Sequence, residues 1–532
     1  MGEVDALAIA VAVALVGGGL ALALRLPPLV GFVAAGFALS ALGAPAVPGL
    51  SVISTLGVTL LLFGLGLKVE IHQFLRREVW IVSIVHLAGS VVIGTGLLAL
   101  VKLVGLEPVA SASWPVLWLV GFAVSFSSTV FVVKLLETRN DTQAVYGSMC
   151  IGVLIVQDLA AIAFLSLSGD REISPWVLTL LATPAVAWVL RRVWDALHHE
   201  LSWLFGVGVA LVPGYAWWHG VGLSGELGAF ILGVLLASHP HATELTRTLF
   251  SVKELLLVGF FLSVGSLGIP SWGQLLVGTL LVLVLPLQGV LYVALMHLMR
   301  FRARTSVLAG AAMSNNSEFG LIVMSFGAAA GLLEDSWLAT MSVAVAVGFV
   351  ASTLINADPR WLVQRFASRL RQRPDDALNP RDRPITTGDA EAIVLGMGRV
   401  GSAVCRRLES SYGLQVLGVE HDEARVERLR AKGLRVVEGD ATDEGFWARL
   451  ATPSRVHLVV LAMPFHGANM AALELVREVG FTGTIAAVAR NDDDLHALAQ
   501  AGVTTVLHIY TGSGTALADS IADDLRLERR PT

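Results

Sequence analysis

From residue 4 to residue 357 the chain is a succession of apolar stretches. They lie at about 4–25, 28–44, 51–68, 79–104, 115–136, 144–168, 175–193, 201–219, 222–238, 253–268, 272–299, 305–331 and 337–357. Each approaches the roughly 20 residues that a helix needs to cross the hydrocarbon core. The whole chain is 55% hydrophobic and only 15% charged, with a mean hydropathy of +0.71. Those values exclude an ordinary soluble domain. A net charge of -5 argues against nucleic acid as a partner. Two distant cysteines, Cys150 and Cys405, suggest neither a disulfide framework nor a zinc site. The first apolar run follows acidic Glu3 and Asp5, shows no cleavage signal, and reads as a retained membrane helix. The expectation is a polytopic α-helical membrane protein with about 13 transmembrane helices.

Charge orients them. Alternate loops carry Arg25; Lys68, Arg76 and Arg77; Lys134 and Arg139; Arg191 and Arg192; Arg247 and Lys253; and Arg300, Arg302 and Arg304. The intervening loops carry little beyond Lys102 and Arg171. Basic loops stay in the cytoplasm, so the N-terminus is expected outside and the C-terminus inside. An internal repeat is also legible. "GFVAAGFALS" (31–40) resembles "GAFILGVLLAS" (228–238), and "LLLFGLGL" (60–67) loosely matches "LLVGFFLSVG" (256–265). Both pairs stand seven helices apart, and an odd offset inverts the second copy, the plan of many secondary transporters.

The composition changes near residue 358. Residues 1–358 read as the transmembrane domain, and 359–390 as a basic, Pro-containing linker that begins with an amphipathic stretch. Residues 391–532 read as a separate α/β domain. Six buried strands are expected there, at 392–396, 415–420, 434–439, 456–462, 484–489 and 503–508, with polar helices between them. That pattern is a Rossmann-like, doubly wound parallel sheet. One last helix is expected at about 514–528.

Polar residues inside the apolar half carry the chemistry. In "GVLIVQDLAAI" (152–162) Asp158 sits amid apolar neighbours beside Gln157. A mid-membrane carboxylate is costly and usually lines a pathway. Burial raises its pKa and a bound cation lowers it, so proton and cation compete for one charge. Gln157 can donate and accept but cannot titrate. The preceding helix gathers Ser125, Ser127, Ser128 and Thr129 at its middle. The helix seven further on gathers Ser314, Asn315, Asn316, Ser317 and Glu318. Paired polar interruptions in repeat-related helices point to an ion site built from two crossed, broken helices. Glu318 is expected to serve the helix dipole or the structure more than direct ligation. In the α/β part, "GMGRVG" places Gly396, Gly398, Arg399 and Gly401 directly after a strand, and Glu420 ends the next strand. Glycines let the backbone approach phosphate and the acid binds ribose hydroxyls, which favours NAD(H) over NADP(H).

"SFSSTVFVVKLLETRNDTQAVYGSMCIGVLIVQDLAAIAF", "LGAFILGVLLASHPHATEL", "ELLLVGFFLSVG" and "SNNSEFGLIVM" resemble the Kef-type proteins of the second monovalent cation:proton antiporter family. "AIVLGMGRVGSAVCRRL", "EHDEARVERLRAKGLRVVEGDAT" and "VARN" resemble their cytosolic TrkA-N (RCK-type) domain. The resemblance implies an NhaA-like homodimeric antiporter in a bacterial-type cytoplasmic (inner) membrane. It implies exchange of K+ or Na+ for H+ at Asp158, with Gln157 and the Ser127–Ser128–Thr129 break helping coordination. It further implies a regulatory NAD(H) or AMP, not a redox cofactor, with Arg490 near the phosphates and Asp440 near the adenine, and leaves room for an ancillary cytosolic regulator. Glutathione-gated members carry an acidic stretch after the ninth helix. Here that loop reads "HPHATELTRTLF", with Thr246 and Arg247, which argues against glutathione gating. Three other functions compete with K+/H+ exchange: a sodium:proton antiporter of the same fold, a membrane-anchored NAD-dependent oxidoreductase, and a ligand-gated channel. The roughly 140-residue soluble part has no evident substrate domain, which counts against an enzyme.

Overall fold

The computed structural model describes residues 3–24, 28–43, 49–67, 76–139, 141, 144–167, 174–197, 201–265, 269–383, 387–420, 422–439, 446–447, 455–464 and 466–524. It divides into two compact units. The first comprises residues 1–133, 149–299 and 306–370; the second comprises residues 134–148, 300–305 and 371–532.

The first unit is helical, and three of its helices include residues 134–139, 145–148 and 303–305 of the second. Its helices are α1 (Glu3–Ala23), α2 (Pro28–Ala41), α3 (Leu50–Leu67), α4 (Arg77–Val104), α5 (Trp114–Ala123), α6 (Thr129–Arg139) and α7 (Val145–Leu167). A 3-10 segment, Pro175–Ala182, leads into α8 (Thr183–Ala196). Then α9 (Ser202–Val209) passes through a π-helical turn, Ala210–Ala216, into α10 (Trp217–Gly220). The unit continues with α11 (Gly225–Leu236), α12 (Ala242–Gly265), α13 (Trp272–Leu281), α14 (Val284–Leu298), α15 (Ala303–Ala312), α16 (Glu318–Ala329), α17 (Ser336–Ile355) and α18 (Pro359–Phe366). Among the described residues, each apolar stretch of the sequence is mostly helical. Six helical segments among the described residues have the length and hydropathy to cross a bilayer unaided. Others, such as Gly225–Leu236 and Glu318–Ala329, are apolar but shorter.

Glycines allow several close helix crossings, and two of them follow the internal repeat. A Cβ on Gly36 of α2 would lie 2.7 Å from the Gly265 Cα of α12. A Cβ on Gly233 of α11 would lie 2.4 Å from the Phe63 carbonyl and 3.0 Å from the Gly66 Cα of α3. Backbone meets backbone at both crossings, as small residues allow in lipid. The first crossing joins the earlier copy of one repeated helix to the later copy of the other, and the second crossing does the reverse. The two crossings are therefore repeat-equivalent, which is the arrangement an inverted repeat demands.

In the second unit a six-stranded parallel sheet has the order β3-β2-β1-β4-β5-β6. The strands are β1 (Ala392–Leu395), β2 (Val416–Glu420), β3 (Val436–Glu438), β4 (Leu458–Leu461), β5 (Thr484–Ala489) and β6 (Thr505–His508). All six expected strands are present. The intervening helices include α19 (Arg399–Tyr412), α20 (Glu423–Arg430), α21 (His466–Glu478) and α22 (Asp492–Gln500), and α23 (Ile509–Asp524) ends the described chain. β1 is buried along its whole length, because helices cover both faces of a doubly wound sheet. One face packs Ile393, Leu395, Phe446 and Trp447 together; the other packs Val394, Met397 and Cys405.

Candidate functional site

Both polar clusters interrupt their helices. Between α5 and α6 the helix is lost over Val124–Ser128, and between α15 and α16 over Met313–Ser317. The two breaks bond to each other. The Ser127 hydroxyl donates to the Met313 carbonyl at 2.9 Å. The Ser128 N–H donates to Asn315 Oδ1 at 2.5 Å, and the Ser128 hydroxyl donates to Glu318 Oε2 at 2.8 Å. Unwinding leaves backbone groups that lipid cannot satisfy, and these cross-bonds satisfy them inside the protein. Asn315 also donates through Nδ2 to the Ala312 carbonyl, and the Ser317 hydroxyl caps α16 by accepting from the Phe319 N–H.

Asp158 lies on the uninterrupted α7 and is 1% exposed. The Thr129 hydroxyl, on the first residue of α6, donates to its Oδ2 at 3.1 Å. Glu318, the first residue of α16, is likewise buried. Asp158, Glu318, Thr129, Val130 and Phe319 line one cavity of about 50 Å³ together with Leu60, Leu61, Gly64 and Leu65 of α3 and Thr246 and Leu249 of α12. That volume suits a dehydrated alkali cation or a few waters. The positive N-terminal ends of two half-helices, α6 and α16, begin at this cavity beside two carboxylates, where they favour negative charge. Carboxylate and hydroxyl oxygens are the ligands that hard cations select.

Gln157 and Asn316 are placed differently. Gln157 Oε1 accepts from the Ser127 N–H at 3.1 Å, and its Nε2 donates to the Tyr292 hydroxyl at 2.8 Å. The amide thus brackets the first break. The Asn316 Nδ2 donates to the Ala344 carbonyl of α17. Its Oδ1 is buried with no hydrogen-bond partner among the described residues, an acceptor available to a water or an ion.

The sequence reading passed over Tyr292, His86 and Gln288. Tyr292 of α14 stacks on His86 of α4 with ring centroids 3.4 Å apart. The His86 ring is in hydrogen-bond range of the Gln288 carbonyl and the Ser90 hydroxyl. Gln288 Nε2 donates to the Val124 carbonyl, at the end of α5, at 2.8 Å. A single His, Tyr or Gln in a long apolar helix was the available signal.

In the sheet, Gly396 turns the chain after β1 at φ +86°, where a Cβ would strike the Ala462 and Met463 backbone. Gly401 lets α19 pack on the turn: a Cβ there would meet the Gly396 carbonyl and Val394. A Cβ on Gly398, the residue preceding α19, would meet nothing within 4 Å. This open cradle at a helix N-terminus fits a phosphate group. Glu420 ends β2, is 3% exposed, and accepts from the Met397 N–H at 3.0 Å and from Arg425 at 3.3 Å. Arg399 and Arg490 are exposed; the Arg490 N–H donates to Asp494. Asp440 lies outside the described residues. The glycine turn, the helix start and Glu420 are the parts an adenosine nucleotide needs: backbone N–H groups for phosphate, and an acid for the ribose hydroxyls.

A family model described as sodium/hydrogen exchanger, transmembrane, matches residues 10–357, and the TrkA-N domain model matches residues 392–509. With the first match spanning most of the chain, the protein belongs to the sodium/hydrogen exchanger family. Its exchanger domain followed by a TrkA-N domain resembles the Kef-type cation:proton antiporters. The glutathione-regulated potassium-efflux system protein KefC of Escherichia coli O81 (strain ED1a) is 29% identical to it over 489 residues, which is 84% of this chain and 73% of KefC. The sodium proton antiporter MjNhaP1 from Methanocaldococcus jannaschii has the same fold, with a TM-score of 0.50 and 13% identity over 69% of this chain and 98% of its own. These relatives are transporters, which supports transport over the oxidoreductase alternative.

Proposed function

We propose that the protein exchanges K+ for H+ at Asp158 in a bacterial-type cytoplasmic membrane. Residues 1–358 transport, 359–390 link, and 391–532 regulate. The observation that carries the reading is a buried carboxylate on an intact helix, facing a cavity where two half-helices begin. Protonated Asp158 faces one side of the membrane, releases its proton, takes a cation together with the Thr129 hydroxyl, and returns, while Glu318, held by the Ser128 hydroxyl, lines the same cavity. Proton and cation exclude each other because they compete for one charge. If neither the empty nor the doubly occupied site crosses, exchange is electroneutral. Asn315, Ser127 and Ser128 hold the two breaks together, and Gln157 fixes the first. Asn316 offers a further oxygen.

Potassium is favoured over sodium by the likeness to a potassium-efflux protein. Sodium, the ion in the description of the family model, is the second reading. Glutathione is not carried over, since the loop "HPHATELTRTLF" departs from the acidic pattern. The protein works as a homodimer with its N-terminus outside and its sheet in the cytoplasm. NAD(H) or AMP binds at Gly396–Gly401, Glu420, Asp440 and Arg490 and sets the exchange rate, which requires unequal affinity for two states of the transporter.

The test is proton movement in proteoliposomes driven separately by K+ and by Na+, with wild type and Asp158→Asn. Potassium-driven exchange in wild type and none in the variant is the expected result. Sodium-only exchange would change the substrate and keep the mechanism. Undiminished exchange by Asp158→Asn would remove Asp158 from the site.

A further inference from the structure

Asp382 lies in the linker and belongs to neither site described above, yet its side chain is 0% exposed. It accepts three hydrogen bonds. The Arg302 N–H donates at 2.6 Å, Arg302 Nε at 2.8 Å and the Thr305 hydroxyl at 2.9 Å. These donors surround the start of α15. A carboxylate that bonds the N–H just before a helix does the work of a capping-box acid, and its charge suits the helix dipole. Here the acid comes from about eighty residues further along the chain rather than from the helix's own first turn. The same linker turn clasps the preceding bend: the Asn379 N–H donates to the Arg300 carbonyl at 2.8 Å. Arg300 has φ +67°, in the left-handed region that a non-glycine residue rarely adopts. A strained residue persists where its surroundings over-determine it.

The other side of the turn reaches the sheet. Arg381 Nε lies 3.3 Å from Glu438 Oε1. Glu438 ends β3, and its register partner on β2 is Glu420. The Gly439 N–H also donates to the Glu420 carbonyl at 3.0 Å. A continuous series of bonds therefore runs from Glu420 to Glu438, Arg381 and Asp382, and on into α15. That half-helix ends at Ala312, where the second break begins.

We propose that the turn Asn379–Asp382 is the joint through which an adenosine nucleotide at Glu420 acts on the ion site, with Arg381 and Asp382 as positioning residues. The proposal rests on the reading that a nucleotide regulates exchange. Burial raises the Asp382 carboxyl above its ordinary range, against the pull of Arg302. A buried carboxylate with three donors has little freedom to slide. A displacement at the end of β3 is then passed to the start of α15 instead of being absorbed by slack in the linker.

The experiment uses full-length protein in proteoliposomes and measures cation-driven proton movement with and without NADH or AMP. Nucleotide binding is measured on the same samples. The variants are Arg381→Ala, Asp382→Asn and the reciprocal double Arg381→Glu with Glu438→Arg. In wild type the nucleotide is expected to change the rate by about fivefold or more, the usual scale of a coupled site. Each single variant is expected to bind nucleotide with unchanged affinity, keep its basal exchange and lose the response; the double variant recovers it. Arg381→Ala disturbs only a partly exposed pair, so it reports even if Asp382→Asn fails to fold. A wild-type response in both single variants overturns the joint. Lost nucleotide binding in Arg381→Ala does so too, by placing Arg381 in the binding site. A wild type that binds nucleotide with no change in rate overturns regulation itself, and the joint with it; that failure is recognised because it occurs without any substitution.

Discussion

The two helix breaks occupy corresponding places in the repeat, but they are secured in opposite ways. The second, Met313–Ser317, is fastened to an intact neighbour. The Ser352 hydroxyl of α17 donates to the Ser314 carbonyl at 2.6 Å, and Asn356 Nδ2 donates to the Ala311 carbonyl at 2.8 Å. It also carries its own amides, Asn315 and Asn316. The first break, Val124–Ser128, has hydroxyls but no amides. Its N–H groups at Ser127 and Ser128 depend on Gln157 and Asn315 from elsewhere. The first break is thus held by Gln157 of α7 and Gln288 of α14 and, at Ser128, by the second break, which is itself fastened to α17. Repeat-related segments need not be functionally equal: the second break is the template for part of the first.

The comparison is broken most directly at Asn315. Asn315→Leu strands the buried Ser128 N–H, at a cost of about 1–3 kcal/mol. Exchange should fall by about tenfold to a hundredfold, measured in proteoliposomes. If the first break supported itself, the loss would be far smaller. A weaker effect is expected at Tyr292. Tyr292→Phe keeps the stacking on His86 and removes the hydroxyl that receives Gln157 Nε2. One lost hydrogen bond of about 1 kcal/mol should raise the cation KM roughly fivefold with kcat nearly unchanged. An unaltered KM would show that Gln157 needs no such anchor.

The smallest effect separates the template break from its linker cap. The Asp382 carboxyl is raised by burial, so its contribution to stability is full at pH below its unfolded value and is lost as pH rises through the raised folded value. Full-length wild type should therefore lose thermal stability relative to Asp382→Asn as pH rises across that interval. A pH-independent difference would mean that Asp382 does not titrate there.

Much of this was legible in the sequence. The six strands show because a sheet buried on both faces needs unbroken apolar runs such as "AIVL" and "HLVVLA". The two breaks show because Ser127–Thr129 and Ser314–Glu318 are polar where lipid tolerates little. The role of Gln157 was not legible. An amide beside Asp158 suggests a ligand, and only tertiary structure reveals that Ser127 and Tyr292 engage its two ends. Asp382 was hidden for another reason. "NPRDRP" is what a solvated linker looks like, and nothing local announces that its acid is buried against Arg302. His86 and Tyr292 stood singly in apolar helices, where a lone polar residue is more often incidental.

The glycine crossings bear on how such a molecule can move. Where Gly36 meets Gly265 and Gly66 meets Gly233, no side chain lies between the helices to serve as a compliant layer. Tilt at these crossings meets backbone rather than side chain, so α2, α3, α11 and α12 are expected to move together. The cavity has α3 and α12 on one wall and Asp158 with the two half-helix starts on the other. If the block resists internal shear, this wall-to-wall surface is where relative motion is expected to expose the carboxylate.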